Sequence, residues 1–525
     1  VNHFSATNQL RPYELYIKLQ SGAPVPETEI NDTPITANTV PAGGWVSGVR
    51  SPAVATEQDW YSMTLNAGDT VYLGMDLDPE RDNVQWNGRL GLALFGDAGN
   101  QILVVDDGST GSAANPLSEA FFFTVKTSGT YYAFVDSASA ATGGPTATYN
   151  LSVTVFPKIE EGVSCTTYTS TNVPQTIGPS AGLVSSTITI PGNPRVADLD
   201  ISIDMTHALM ADVDAHLRSP AGNDVGLFTD IGAAATGGQT QMDLIFDDEA
   251  GLTPAFTALK GVQVKPELAY SLSWFDGENA GGTWTLDLRD DTTNASGGTL
   301  NGWSIKVCEQ PAAPSESVVF GTDFESGAAG FTSSGTANEW EIGLPATVAT
   351  TTSNPIAAFN SCNSGVNCWK TDLDNTYDVS SSQDLLSPNI NLTGVSAPIT
   401  LKWAQQFQME NASFDHARVI VQQVGNPASA RTVWEWTGPT MTDSVGNPAV
   451  NIGTTAGWGN YRADISSFAG QNIEVIFHVD SDTTINFGGL AIDDVAVVTA
   501  DTTAPDTQIL TNPTNPSTSA DATFT

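Results

Sequence analysis

Apolar residues recur along this chain at every second position, and almost nowhere at the three- and four-residue spacing of a helix. Runs such as TVYLGMDL (residues 70–77), YNLSVTVF (149–156), ARVIVQQV (417–424) and IEVIFHV (473–479) alternate apolar with polar side chains. That is the period of a strand with one buried face. Clusters of Gly, Asn, Asp and Pro separate such runs at roughly the 8–12-residue spacing of β-sandwiches. The densest signal lies between residues 273 and 308. There Trp284, Leu286 and Leu288 alternate with Thr285, Asp287 and Arg289, and Trp303, Ile305 and Val307 alternate in the same way after a Gly-rich turn. The pattern predicts two strands paired antiparallel through an acidic, glycine-bearing loop. The fold class expected is all-β.

At 525 residues the chain is too long for one core. Turn clusters and motif order predict three β-sandwich or jelly-roll units in series, over residues 27–157, 163–310 and 317–500. LRPYELYIKLQSG near the start parallels TATYNLSVTVFPK at the end of the first unit, so residues 1–22 read as the last strand of an upstream repeat. Residues 501–525 are rich in Pro, Thr and Asn and read as a linker. Both ends are expected to be cuts within a longer polypeptide.

Charge narrows the partners. Eighteen Lys and Arg face 58 Asp and Glu, a formal net charge of -40. Such a field repels nucleic acid and anionic membrane surfaces, and no apolar run approaches the ~18 residues of a membrane span. Nucleophilic catalysis needs a Ser or Cys, a base and an orienting acid. None of His3, His207, His216, His416 and His478 stands in a setting of that kind. No G-x-S-x-G turn or HExxH motif occurs. No catalytic residue is recognisable in this chain.

Several motifs carry resemblances. The pattern FDGENAGGTWTLDLRDD followed by GTLNGWSI, with His207, Asp212, Leu217, Ser219, Pro220 and Gly222 upstream, strongly resembles the P domain (Homo B domain) of kexin- and furin-like convertases and of secreted bacterial serine proteases. That resemblance makes MTHALMADVDAH (205–216), the one stretch of helical propensity, a turn feeding a strand. It gives His207 a structural hydrogen bond. The first unit resembles the bacterial pre-peptidase C-terminal domain through Glu29, Asn31 and Asp32, through Asp59, Trp60 and Tyr61, and through the Gly68–Asp69 turn. The third resembles the MAM-like jelly rolls of secreted bacterial peptidases through Asp323, Phe324, Glu325, Ser387, Pro388, Asp480, Asp482, Gly489 and residues 492–495. Residues 501–525 also resemble the opening of an Ig-like domain. Cys165 and Cys308 flank the P-like segment, whose first and last strands are expected side by side, and Cys362 and Cys368 are close enough to close a small loop. Two disulfides and an oxidising, extracellular or cell-surface location follow.

Calcium is the expected ion, since clustered carboxylates suit a hard cation. The candidate ligands are Asp243, Asp247, Asp248 and Glu249; Asp276, Glu278, Asp290 and Asp291; and Asp323 and Glu325 with Asp493 or Asp494. The first set has no Lys or Arg close in sequence to neutralise it. Trp434 and Trp436 are weighed as a sugar platform against core packing, which is preferred. The chain therefore reads as a non-catalytic accessory region of a secreted bacterial serine endopeptidase, its partner the catalytic domain of the same polypeptide. The alternative is a surface adhesin or stalk whose jelly roll binds glycan or protein.

Overall fold

The computed structural model describes residues 19–52, 57–82, 86–94, 101–105, 118–137, 146–158, 164–179, 182–222, 224–232, 240–254, 259–267, 270–290, 292, 294–309, 316–346, 359–410, 414–436 and 458–500. The expectations for residues 1–18 and 501–525, and for Asp291, lie outside them. Thirty-two strands and three single-turn 3-10 helices make up the regular structure of these residues, so the all-β reading holds.

In the first unit a sheet of five strands, ordered Asn38–Thr39, Asp59–Leu65, Gly129–Ser137, Gly88–Leu94 and Gln101–Val105, accompanies a second that runs Val25–Pro26, Trp45–Val49, Thr148–Phe156, Thr70–Asp76 and Ser118–Val125. Alternation along Thr70–Asp76 buries Val71, Leu73 and Met75 and leaves Tyr72 half-buried on the other face. The second sheet does not stop at the unit boundary. Val125 pairs antiparallel with Val262 of the strand Lys260–Val264, and the sheet continues through Gln241–Phe246, Val196–His207, Gly298–Glu309 and Ser164–Thr169.

The second unit faces that continuation with a four-stranded sheet of Gly182–Ile190, Gly282–Asp290, Val213–Arg218 and Asp224–Phe228. The expected pairing of residues 282–290 with 298–309 is corrected here, because Gly282–Asp290 and Gly298–Glu309 lie in different sheets. The chain crosses the sandwich between them, and both strands turn their apolar faces into one core. Trp303 donates from Nε1 to Ser186 Oγ at 2.7 Å, and Ser186 lies on the opposing sheet. A period of two shows that a strand has a buried face; it does not say which strand lies beside it. Cys165 and Cys308 are register partners on adjacent strands and form a disulfide, and a second joins Cys362 to Cys368. The stretch 205–216 is strand to His207, a 3-10 turn at Met210–Asp212, then strand Val213–Arg218.

The third unit packs two six-stranded sheets. Trp436 is buried, and its ring lies 5.2 Å from that of Phe407. Trp434 meets Phe407 at 5.6 Å and Tyr461 at 5.8 Å. Both tryptophans serve the core. The same aromatic group receives Trp274 from the second unit, 5.4 Å from Phe407 and 5.3 Å from Tyr461. The three units are thus joined by a shared sheet at one junction and by a shared aromatic cluster at the other.

Candidate metal centre

One acidic constellation lies in the first unit, around Glu29, Asn31, Asp32 and Asp59, which the sequence patterns marked as resemblance without assigning them an ion. The entry segment carries Glu27, Glu29, Asn31 and Asp32. A short parallel pairing of Asn38–Thr39 with Tyr61–Ser62 lays that segment along the start of Asp59–Leu65, and Trp60 N donates to Asn31 O at 3.0 Å. Glu27, Glu29 and Asp59 each place a carboxylate oxygen within 4.8 Å of the others, and so do Glu29, Asp32 and Glu57. Glu29 belongs to both sets, so the arrangement suits two neighbouring cations bridged by one carboxylate.

Hydrogen bonds fix the walls. Glu27 accepts from Val49 N at 2.5 Å, from Tyr61 Oη at 2.7 Å and from Tyr149 Oη at 2.9 Å. Tyr149 also reaches Asp59 Oδ2 at 2.7 Å, and Glu57 accepts from Ser51 N at 3.1 Å. Other polar atoms have no protein partner. Asn31 is fully buried with neither amide atom bonded, and Asp59 Oδ1 is buried and unbonded as well. Burial, then the neighbouring Glu27, pushes the Asp59 carboxyl up to about 8, and burial, then Asp32 and Glu29, pushes Glu57 up to about 7. Carboxylates crowded in this way either hold protons or share a cation. The donors are all oxygen, which fits calcium and gives zinc none of the nitrogen or sulfur it favours.

The ligands expected from sequence are distributed differently. Asp243 and Asp247 do have cations, one from the first unit and one from the residue that follows it. Lys126 binds Asp243, and Lys158 lies 3.0 Å from Asp247 and 3.2 Å from Asp200. The expectation that no base neutralises this group is therefore corrected; the lysines are more than eighty residues away in sequence. Asp248 caps the Leu272–Phe275 turn through Leu272 N at 3.0 Å and Ser273 N at 2.9 Å. Asp276 lies 3.9 Å from Arg462, Glu278 is buried, and Asp290 sits 3.5 Å from His207 Nε2. His207 Nδ1 meets Leu209 O at 2.6 Å, which is the structural role expected for it.

In the third unit Glu325, Asp493 and Asp494 converge on the Cys362–Cys368 loop. Glu325 accepts from Val366 N and Asn367 N at 2.8 and 2.7 Å, Asp493 from Ser364 N at 3.0 Å, and Asp494 from Asn363 Nδ2 at 2.6 Å and Ser364 Oγ at 2.8 Å. Asp323 accepts from Glu325 N at 3.2 Å. A further group, Glu410, Asp415 and Asp482, of which the sequence marked only Asp482 and for no ion, brings its oxygens within 4.8 Å.

A disulfide-stapled β-sandwich built on the 273–308 motif is the architecture that the P-domain resemblance implies, and direct comparison agrees. Residues 196–307 match the family model of the proprotein convertase P-domain. Bacillopeptidase F of Bacillus subtilis (strain 168) is 30% identical over 194 residues, which is 37% of this chain and 12% of that protein. The chain thus spans about an eighth of that relative's length. Among solved structures, the K3 cleaved adhesin domain of Lys-gingipain from Porphyromonas gingivalis w83 aligns over 35% of this chain and all of its own, at 19% identity and a TM-score of 0.24. The serine protease of Aeromonas sobria aligns over 28% of this chain and 27% of its own, at 17% identity and a TM-score of 0.17.

Proposed function

We propose that this chain is a non-catalytic accessory region of a secreted bacterial serine endopeptidase, stabilised by calcium. The P-domain match over residues 196–307 carries the reading, and the similarity to Bacillopeptidase F supports it. The shared sheet and shared aromatic cluster suit a rigid strut that holds a catalytic domain and its substrate in fixed relation. Calcium at Glu27, Glu29, Asp32, Glu57 and Asp59 would neutralise these crowded carboxylates, tying the entry segment to the sandwich. The purified chain is expected to hydrolyse no casein. Casein hydrolysis blocked by a serine-directed inhibitor would overturn the accessory reading. In the parent polypeptide, deletion of residues 163–310 should abolish accumulation of active protease, and undiminished activity would count against it equally.

A further inference from the structure

Where the first unit meets the second, one lysine reaches two carboxylates that stand side by side. The strands Val196–His207 and Gln241–Phe246 pair antiparallel with Ile201 opposite Phe246. One step further along, Asp200 and Asp247 are neighbours on the same face. Lys158, the residue that follows the first unit, reaches both: its Nζ lies 3.0 Å from Asp247 Oδ2 and 3.2 Å from Asp200 Oδ2. The lysine stem runs against Gly68, where a Cβ would come within 2.3 Å of Lys158 Cδ, so the glycine leaves the stem its path. Water is largely shut out, because the side chains of Lys158 and Asp247 are 9% and 1% exposed. Glu249 completes the group. Its backbone N donates to Asp247 Oδ1 at 2.8 Å, and its carboxyl hydrogen-bonds Asp247 as well. An amine, a carboxylate, a base and an acid thus meet in one dry place. The pair of Lys126 with Asp243 lacks that dryness, since the Asp243 side chain is 42% exposed.

We infer that Lys158 and Asp247 condense to an isopeptide bond, a covalent link from the end of the first unit into the second. Burial works against the charge of Lys158, but Asp200 and Asp247 hold it as the ammonium, so a base must take one proton before the nitrogen can attack. Asp200 stands at hydrogen-bond distance, and burial, then the charge of Asp247, raises its affinity for a proton. The freed amine adds to Asp247 Cγ. Glu249 is held protonated by its removal from water and by its bond to Asp247, and it passes that proton to the departing oxygen. The C–N bond forms, one C–O bond of Asp247 breaks, and the oxygen leaves as water with two of the three ammonium protons. Asp200 ends ionised and Glu249 protonated, as they began. Nothing is oxidised or reduced, and no co-reactant is needed. Two groups fixed in contact act at effective concentrations that reach roughly 10⁵ M or more, which offsets the preference for hydrolysis in bulk water. The link would join positions 89 residues apart beside the shared sheet, with a bond that no reductant opens. Neither calcium nor a protease partner enters this inference.

Intact-mass spectrometry of the full chain, denatured and reduced, tests this. The wild-type mass should fall short of the sequence mass by one water molecule, and a tryptic digest should yield a branched peptide joining Lys158 to Asp247. Lys158→Arg keeps a cation for the carboxylates but brings no amine to the bond. It should show the full sequence mass and melt several degrees lower, with its circular dichroism unchanged at room temperature. Glu249→Gln keeps a hydrogen-bond donor but cannot pass a proton, so the lighter species should appear during refolding more slowly by roughly a hundredfold. A wild-type chain that stays at its full sequence mass after prolonged incubation would leave Lys158 in a plain ion pair and overturn the inference. So would a loss of water that persists in Lys158→Arg or maps to other residues. Cross-linking at the wild-type rate in Glu249→Gln would overturn the part assigned to Glu249.

Discussion

Glu57 and Asp59 stand two residues apart where the chain enters the strand Asp59–Leu65, and their neighbours set their chemistry. Each has a carboxyl pushed upward when no ion is bound, so the folded state holds protons that the unfolded chain releases near pH 4. In chelator, stability should therefore fall as pH rises from about 4 through about 8, and calcium should abolish that loss. At a hundredfold excess over Kd one ion contributes about 2.7 kcal/mol, an increase in Tm of roughly 10 °C for a unit of this size. Scanning calorimetry of wild type and Asp59→Asn, with calcium and with EDTA, checks this; the variant should lose most of the calcium response. His478 gives the opposite sign. Burial works against its charge, but Asp384 and Asp480, each 2.6 Å from a ring nitrogen, raise it to about 9. Its contribution is fully present below about 6.5, the unfolded value, and is lost as pH rises through about 9. His478→Gln should cost about 1–3 kcal/mol at pH 6, a difference that shrinks above pH 9 in paired melting curves. Single residues of this kind were only half legible in the sequence. Glu29, Asn31, Asp32 and Asp59 stood out as motif members, but their convergence depends on a two-residue parallel pairing that no periodicity signals.

Strands were the most legible elements, and their neighbours the least. Period two is satisfied equally by a hairpin and by two strands facing each other across a core, which is why residues 282–290 and 298–309 read as partners and are not. The stretch 205–216 shows the reverse case, where the motif outweighed local helical propensity because residues 205–207 and 213–216 are strands paired within the two sheets, residues 213–216 buried throughout. The disulfide between Cys165 and Cys308 binds the first strand of the second unit to its last, 143 residues apart. In the chain-entropy picture a loop of that length contributes on the order of 5 kcal/mol. Replacing both cysteines by serine should lower stability by several kcal/mol, measured by urea unfolding. Mass spectrometry of a non-reduced digest should find the two residues linked.

Across the whole molecule, contacts between units decide how it unfolds. Trp274 is 4% exposed and belongs to the second unit, yet its ring contacts lie in the third. Trp274→Ala should cost about 3–5 kcal/mol at that junction and split a shared thermal transition into two, visible by calorimetry. The lysines at the other junction were invisible from the sequence around Asp243 and Asp247, because charge partners are set by topology and not by proximity along the chain.

The seam through Val125 and Val262 makes the second unit a cover for the end of the first unit's edge strand, where Thr124 and Val125 pair with Gln263 and Val262. The strand it covers reads SEAFFFTV, with Phe121 and Phe123 on the core side and the backbone on its outer flank seeking a partner. A polypeptide ending near residue 158 would leave that flank open, the situation in which sheets recruit copies of themselves. Such a truncated first unit should elute from size-exclusion columns as oligomers or precipitate, while the same unit carried through residue 309 stays monodisperse. Lineages that shuffle this first unit would then have to supply a new covering strand with each rearrangement, a demand that limits which neighbours it can acquire.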